Sequence, residues 1–202
     1  WGYNPTMEVT LRDIEVDADA LADPDALRRA ADTYHEHGCL VVRGLMKPHL
    51  RALAREVEQI ADQARSLYGN FADVPGIGAT TPDGTLWIPA PRHYGRDWQI
   101  MVLALRYTTS GAFLQSALEP RLLDLACHIL GPDVEMFLDG QCLYKEPVGG
   151  HPKHLHQDSA YFEHRFDGPV AALSYVVDTD LVNGALHVVP GSHRLGQLPH
   201  VD

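Results

Sequence analysis

Apolar residues recur at the spacing of an α-helix in the first quarter of the chain. They are Leu27, Ala30, Ala31 and Tyr34, and this period places them on one helix face. Asp23 can cap the start of the helix, Pro24 occupies its first position, and Gly38 can end it. The pattern predicts a helix over about residues 24–37 whose apolar face packs into a core.

Two further helical segments are predicted on the same grounds. One begins at Pro48 and runs to about residue 68. Its apolar stripe consists of Leu50, Leu53, Val57, Ile60, Ala61, Ala64 and Leu67. The other, residues 112–130, is interrupted by Pro120 and stopped by the Gly131-Pro132 pair. We interpret the stripes as core packing.

Short β-branched runs and segments of alternating polarity predict strands between and after these helices. The predicted strands are residues 7–14, 39–43, 99–107, 134–145 (as one or two strands), 171–177 and 185–189. Asn183-Gly184 predicts a turn between the last two. Helices followed by several strands indicate an α+β, mainly β fold, a jelly roll or similar barrel with N-terminal and flanking helices. We expect one domain over residues 1–202, with a helical and strand part at 1–132 and a jelly-roll part at 133–202.

Residues 69–98 differ from the rest of the chain. They contain many Gly and Pro residues, four aromatic side chains and little periodicity. A loop of this length within a compact domain is more often functional or mobile. It could be a lid, part of a substrate pocket or a merely decorative insertion. If it is functional, we expect substrate contacts from Trp87, His93 and Trp98 together with Arg92 and Arg96.

Composition narrows the class of protein. The net charge of −11 argues against a nucleic-acid partner and against an anionic membrane surface. No apolar run is long enough to span a bilayer, and the N-terminus lacks a signal-peptide pattern. The three cysteines are far apart and form no CxxC motif, so we expect free thiols and a cytoplasmic location.

The chemistry is expected at His156-Gln157-Asp158. Alternate side chains of a strand share a face, so an imidazole and a carboxylate would point the same way. These are two of the three ligands of a 2-His-1-carboxylate iron site. The tripeptide pattern alone is weak, because His200-Val-Asp202 repeats it.

Longer motifs make the pattern specific. Tyr144-Lys-Glu-Pro, Gly149-Gly150 and His154-Leu-His-Gln-Asp-Ser-Ala-Tyr-Phe follow one another, and Asn183-Gly-Ala-Leu-His-Val-Val-Pro-Gly-Ser-His comes next. In this order and spacing they resemble the phytanoyl-CoA dioxygenase family of Fe(II)/2-oxoglutarate-dependent oxygenases. The resemblance extends over about residues 20–200 and implies a cupin-like double-stranded β-helix, the jelly roll.

The resemblance implies a role for each matching residue. His156 and Asp158 would bind Fe(II), and Gln157, Gln141 and Lys145 would contact 2-oxoglutarate. Tyr161 would line the substrate side. The cofactors implied are Fe(II), 2-oxoglutarate and dioxygen, with ascorbate as an additional candidate. The implied reaction is hydroxylation of an unactivated C–H bond of a small molecule, with decarboxylation of 2-oxoglutarate to succinate; a carboxylate at Asp158 argues against halogenation.

Three points stay open at the level of the sequence. The family's second ligating histidine, its 2-oxoglutarate-binding arginine and two closing strands are expected beyond Asp202. We expect His193 to make a structural hydrogen bond in the Pro-Gly-Ser-His loop instead of binding metal. The alternatives to an oxygenase are a catalytically silent jelly-roll relative that binds a small molecule or partner, and a cupin-like metal protein of other chemistry.

Overall fold

The computed structural model describes residues 8–68, 79–80, 86–90, 99–137, 139–146, 153–161 and 169–199. Contacts divide the chain into two compact units, each with its own hydrophobic core. Unit 1 consists of Trp1–Lys47, Glu119–Glu135 and His154–Asp202, and unit 2 of Pro48–Leu118 and Met136–Lys153. No helix in the described part of the chain is both long and apolar enough to cross a bilayer.

The first helix of unit 1, α1 (Pro24–His37), has the ends that the sequence predicts. The Asp23 carboxylate accepts a hydrogen bond of 3.0 Å from the Asp25 amide, which caps the first turn. Gly38 lies in the left-handed region at φ 74°, and its amide donates to the Tyr34 carbonyl at 2.7 Å. A residue with a Cβ adopts this conformation only with strain, so the glycine sets where the helix ends.

The core of unit 1 lies between α1 and α4 (Pro120–Leu130). Two short parallel strands, β1 (Glu15–Asp17) and β2 (Val41–Arg43), also belong to this unit. The buried core residues are Leu21, Leu27, Ala30 and Leu125. Burying each leucine contributes about 1.5–3 kcal/mol. The apolar stripe of α1 is therefore confirmed as core, and the strand predicted at residues 39–43 is confirmed in shorter form.

The strand predicted at residues 7–14 is wrong, because Leu11–Asp13 is a 3₁₀ turn. The Asp13 carboxylate accepts hydrogen bonds from the Thr10 amide at 2.8 Å and from the Thr10 hydroxyl at 2.7 Å. Such local bonds compete with an extended backbone. The same two bonds lower the pKa of Asp13 below its usual value.

Unit 2 packs the long helix α2 (Leu50–Tyr68) on an antiparallel sheet. The strand order is β3 (Ala79–Thr80), β4 (Leu86–Ala90), β5 (Gln99–Arg106) and β6 (Asp139–Leu143). The buried residues at the interface are Val57, Ile60, Ala61 and Ala64 of α2 with Ile100, Leu103 and Leu105 of β5. The predictions of α2 and β5 are confirmed, and the strand predicted within residues 134–145 is shortened to β6.

Two other predictions have different outcomes. The prediction that residues 69–98 lack regular structure is wrong, because β3 and β4 lie within them. β3 has only two residues, and β4 contains Pro89, a residue that argues against a strand in a sequence pattern. The predicted interruption of the third helical segment is confirmed, since α3 (Gly111–Ala117) ends before Pro120 and α4 begins at that proline.

The described residues 169–199 contain no strand, so the strands predicted at 171–177 and 185–189 are wrong for this structure. The Leu186 amide, a donor that a strand would use in a ladder, instead donates to the Tyr175 hydroxyl at 2.8 Å. The turn between these segments is confirmed: Gly184 has φ 97° and the Asn183 side chain accepts from the Asp180 amide at 2.8 Å. The observed fold is mixed helix and strand, and the described residues do not by themselves display a jelly roll.

Replacing Glu56 tests how α2 holds α3. The Glu56 carboxylate accepts hydrogen bonds from the Ser110 hydroxyl and from the Ala112 amide at 3.2 Å, and Ser110 is 1% exposed. Because a buried donor would lose its partner, we expect Glu56→Ala to lower the free energy of unfolding by about 1–3 kcal/mol. Urea denaturation measures this; Gln59→Ala, an exposed neighbour on α2, should cost under ~0.5 kcal/mol. Equal effects of the two variants would contradict the role of Glu56.

The thiol of Cys142 should be unreactive in the folded protein. Burial, with the Glu58 carboxylate as a smaller cause, raises the pKa of Cys142 to about 11. At pH 8 its thiolate fraction is then about 0.1%, against roughly a quarter for a free cysteine. In a Cys39→Ser/Cys127→Ser background, we expect iodoacetamide to label the native protein roughly 200-fold more slowly than the urea-unfolded protein. Equal rates, followed by mass spectrometry, would show that burial does not control this thiol.

Candidate metal centre

His156 and Asp158 lie close together in unit 1. The His156 Nε2 atom is 3.3 Å from the Asp158 Oδ1 atom. The described residues 153–161 form no strand, and Asp158–Ala160 is a 3₁₀ turn, so the strand assumed for this motif is wrong. Gln157 between them is nevertheless extended, at φ −111° and ψ 125°. An extended residue places its two neighbours on the same side, which is why the expected pairing still occurs.

A backbone hydrogen bond fixes the orientation of the His156 ring. The Nδ1 atom is 2.7 Å from the His154 carbonyl oxygen. A carbonyl oxygen only accepts, so Nδ1 must carry the proton, and a neutral ring then has its lone pair on Nε2. The Asp158 carboxylate oxygen lies 3.3 Å from this Nε2 atom. Two acceptors at this distance are favourable only when a positive charge, a metal ion or a proton on Nε2, lies between them.

Tyr161 packs its ring edge-on against His156, with centroids 5.7 Å apart and planes at 80°. Tyr161 itself is 70% exposed, and the side chains of His156 and Asp158 are 39% and 47% exposed. The aromatic contact restricts the imidazole further while leaving the donor atoms open to a ligand. The substrate contact predicted for Tyr161 stays a prediction.

Gln157 points away from this pair and holds a neighbouring segment. Its side-chain NH₂ donates to the Gly196 carbonyl at 3.0 Å, and its side-chain oxygen accepts from the Leu198 amide at 2.7 Å. Both ends of one amide thus bind backbone groups two residues apart. The contact to 2-oxoglutarate predicted for Gln157 stays a prediction, and this bracing of residues 196–198 is a contact that sequence reasoning missed.

The Pro-Gly-Ser-His loop docks on the C-terminal end of α1. His193 Nε2 donates to the His35 carbonyl at 3.0 Å, and the Gly191 amide donates to the His37 carbonyl at 2.7 Å. The last carbonyl groups of a helix have no partner within it, so these two donors complete the helix end. The expectation that His193 makes a structural hydrogen bond is confirmed.

The other predicted site residues belong to unit 2 or lie outside the described residues. Gln141 is on β6, and Lys145 follows that strand. Trp87 lies in β4, whereas His93 and Trp98 fall outside the described residues. The pairing that the structure establishes within the metal motif is therefore that of His156 with Asp158.

The donor set suits Fe(II) as two ligands of three. Imidazole nitrogen and carboxylate oxygen are the atoms with which a facial triad holds this metal. Within the described ranges, no group of three or more His, Cys, Asp or Glu side chains is arranged to hold a metal ion. The pair thus fits the iron that the motif implies, with the third protein ligand not among these side chains.

The comparison with known families agrees with the motif. The profile of the phytanoyl-CoA dioxygenase (PhyH) family matches residues 34–201, which covers most of the chain and every residue of the candidate site. The chain belongs to this family. Membership implies, in general, oxygenase-type chemistry that depends on Fe(II) and 2-oxoglutarate. No curated protein and no solved structure matches the chain.

Two glycines with the same backbone conformation test the docking of the loop. Gly38 (φ 74°, ψ 7°) and Gly191 (φ 78°, ψ −6°) are both left-handed. A Cβ on Gly38 would lie 2.3 Å from His193 Nδ1, whereas a Cβ on Gly191 would meet nothing within 4 Å. We expect Gly191→Ala to cost about 1 kcal/mol, and Gly38→Ala to cost a further ~1–3 kcal/mol from the clash.

Thermal or urea unfolding measures both variants. In a His193→Ala background the ring is gone, so the cost of Gly38→Ala should fall to that of Gly191→Ala. If the two alanine variants are equally stable in the parent protein, the loop does not dock on α1 in this way.

Proposed function

We propose that this protein is a Fe(II)/2-oxoglutarate-dependent dioxygenase that hydroxylates an unactivated C–H bond of a small organic substrate. The co-substrate 2-oxoglutarate would be decarboxylated to succinate in the same turnover. The observation that carries the proposal is the 3.3 Å pairing of His156 Nε2 with Asp158 Oδ1 inside the family's His-x-Asp motif. Family membership supports the proposal independently.

The residues of unit 1 would hold the metal in a fixed orientation. His156 would bind it through Nε2, because the His154 carbonyl keeps the proton on Nδ1. Asp158 would supply the carboxylate. The chemistry that Fe(II) supplies when bound is the activation of dioxygen coupled to oxidation of 2-oxoglutarate. Gln157 would keep residues 196–198 beside the motif through its two backbone hydrogen bonds.

The remaining roles are assigned by resemblance to the family. Gln141 and Lys145 would bind 2-oxoglutarate, as would Gln157 if its amide exchanges partners. Tyr161, Trp87, His93 and Trp98 would contact the substrate. We also propose the family's jelly roll as the fold of the complete site and the cytoplasm as the location. Asp158 argues for hydroxylation, since a carboxylate occupies the position at which a halide would bind in related halogenases.

Removal of a ligand tests the proposal most simply. We expect His156→Ala and Asp158→Ala each to lower iron-dependent succinate formation by more than about 100-fold, because even changes to groups that only orient a ligand cost 10–100-fold. His187→Ala is the matched control, since His187 is an exposed histidine of the same unit with no assigned role. It should retain full activity.

The first measurement is the amount of succinate released from 2-oxoglutarate in air with Fe(II) present. The second is the affinity of each variant for Fe(II) under anaerobic conditions. Full activity of Asp158→Ala would remove Asp158 from the site. Iron binding that depends on both residues, with no succinate from the parent protein under any condition, would instead identify a catalytically silent member of the family.

A further inference from the structure

A small cavity lies on one face of the β5–β6 ladder in unit 2. Its volume is about 220 Å³. The lining residues are Val102, Ala104 and Arg106 of β5, Asp139, Gly140 and Gln141 of β6, and Phe137. We call this cavity the β5–β6 pocket. Its side chains come mainly from alternate positions of the two strands, as expected for a single sheet face.

The opposite face of the β5–β6 ladder packs in the hydrophobic core of unit 2. Leu103 and Leu105 are buried against α2, and Cys142 packs against the same cluster. The residues that alternate with them must therefore project away from the core. This explains why a strand with a fully buried centre also carries the charged residue Arg106, which is exposed.

Strand register sets two opposite charges side by side in the pocket. Arg106 and Asp139 are direct cross-strand partners, and Ala104 faces Gln141 in the same way. Direct partners have Cβ atoms about 4.5–5.5 Å apart. Across the part of the chain that the structure describes, neither the Arg106 guanidinium nor the Asp139 carboxylate has a hydrogen-bond or ion-pair partner. A guanidinium and a carboxylate thus lie at neighbouring positions, both available to a ligand.

We propose that the β5–β6 pocket binds a small zwitterion of the α-amino-acid type. The ligand's carboxylate would bind the Arg106 fork, which suits planar carboxylates, and its ammonium group would bind Asp139. Its apolar substituent would lie on Phe137 and Val102. Gln141 adds one amide donor and one acceptor at the polar end of the pocket.

Charge and size both select this class of ligand. A dicarboxylate would bring its second negative charge towards Asp139, and a simple amine would meet Arg106, so a ligand of one charge sign is disfavoured. Pockets for drug-sized molecules occupy about 300–1,000 Å³. A volume of about 220 Å³ suits a molecule of amino-acid size.

The binding itself is independent of the oxygenase proposal. The two are tested apart by measuring binding without iron or 2-oxoglutarate, because Asp158→Ala should abolish succinate formation while leaving zwitterion binding unchanged. If the zwitterion does not bind, the pocket proposal has failed; if no succinate forms, the oxygenase proposal has failed.

The experiment is a calorimetric titration of the full chain with three probes of one carbon skeleton. L-Leucine has both charges, 4-methylpentanoate lacks the ammonium group, and 3-methylbutylamine lacks the carboxylate. We expect L-leucine to bind at least tenfold more tightly than either analogue. Arg106→Gln and Asp139→Asn should each weaken L-leucine at least tenfold. Arg51→Gln, the same change at an exposed arginine of unit 2, should have no effect.

The exchange variant Arg106→Asp/Asp139→Arg controls for folding. It keeps both charges at the pocket in swapped positions and should bind L-leucine at least tenfold better than Arg106→Asp alone. Three results would overturn the proposal: no binding of L-leucine or of L-alanine, equal binding of L-leucine and 4-methylpentanoate, or Arg106-dependent binding of 2-oxoglutarate that is tighter than that of L-leucine. The last would assign the pocket to the co-substrate.

Discussion

The segments around the metal motif depend on the carbonyl groups at the end of α1, which have no partner within the helix. Helix geometry leaves these carbonyls without partners, and the His193 ring and the Gly191 amide satisfy two of them. Gly38 makes the approach feasible, because its missing Cβ leaves room for the imidazole. Helix capping thus gives the Pro-Gly-Ser-His signature a structural role.

Further hydrogen bonds link the residues that follow the Pro-Gly-Ser-His loop to the candidate metal ligands. Residues 196 and 198 bind the two ends of the Gln157 amide, and Gln157 lies between His156 and Asp158 in the chain. The His154 carbonyl then sets the tautomer of His156. Each step is a hydrogen bond to backbone, which fixes geometry without adding charge beside the two donor atoms. The capped end of α1 is thus connected through backbone hydrogen bonds to the pair that is proposed to bind the metal.

Sequence reasoning succeeded where local chemistry decides the structure. Helix α1 begins after Asp23, at Pro24, and ends before Gly38, as predicted. Pro120 separates α3 from α4. It failed where a side chain binds the backbone amide that a strand would use in a ladder. The predicted strand before Ile14 is displaced by the Thr10–Asp13 hydrogen bonds, and the Tyr175 hydroxyl takes the Leu186 amide that a ladder would use. The predicted proximity of His156 and Asp158 is confirmed, because it needs only one extended residue between them. The Arg106–Asp139 register, in contrast, depends on strand pairing that no local pattern reveals.

The most direct test of this account is a titration of the ¹⁵N-histidine-labelled protein with Fe(II) under anaerobic conditions, followed by NMR. The account predicts that the ring signals of His156 broaden before those of any other histidine, and that they do so at about one equivalent of iron. His193, held by the end of α1, should keep its hydrogen-bonded ring signal. If His156 stays sharp while another histidine broadens first, the metal binds elsewhere and the assignment of the His156–Asp158 pair is wrong.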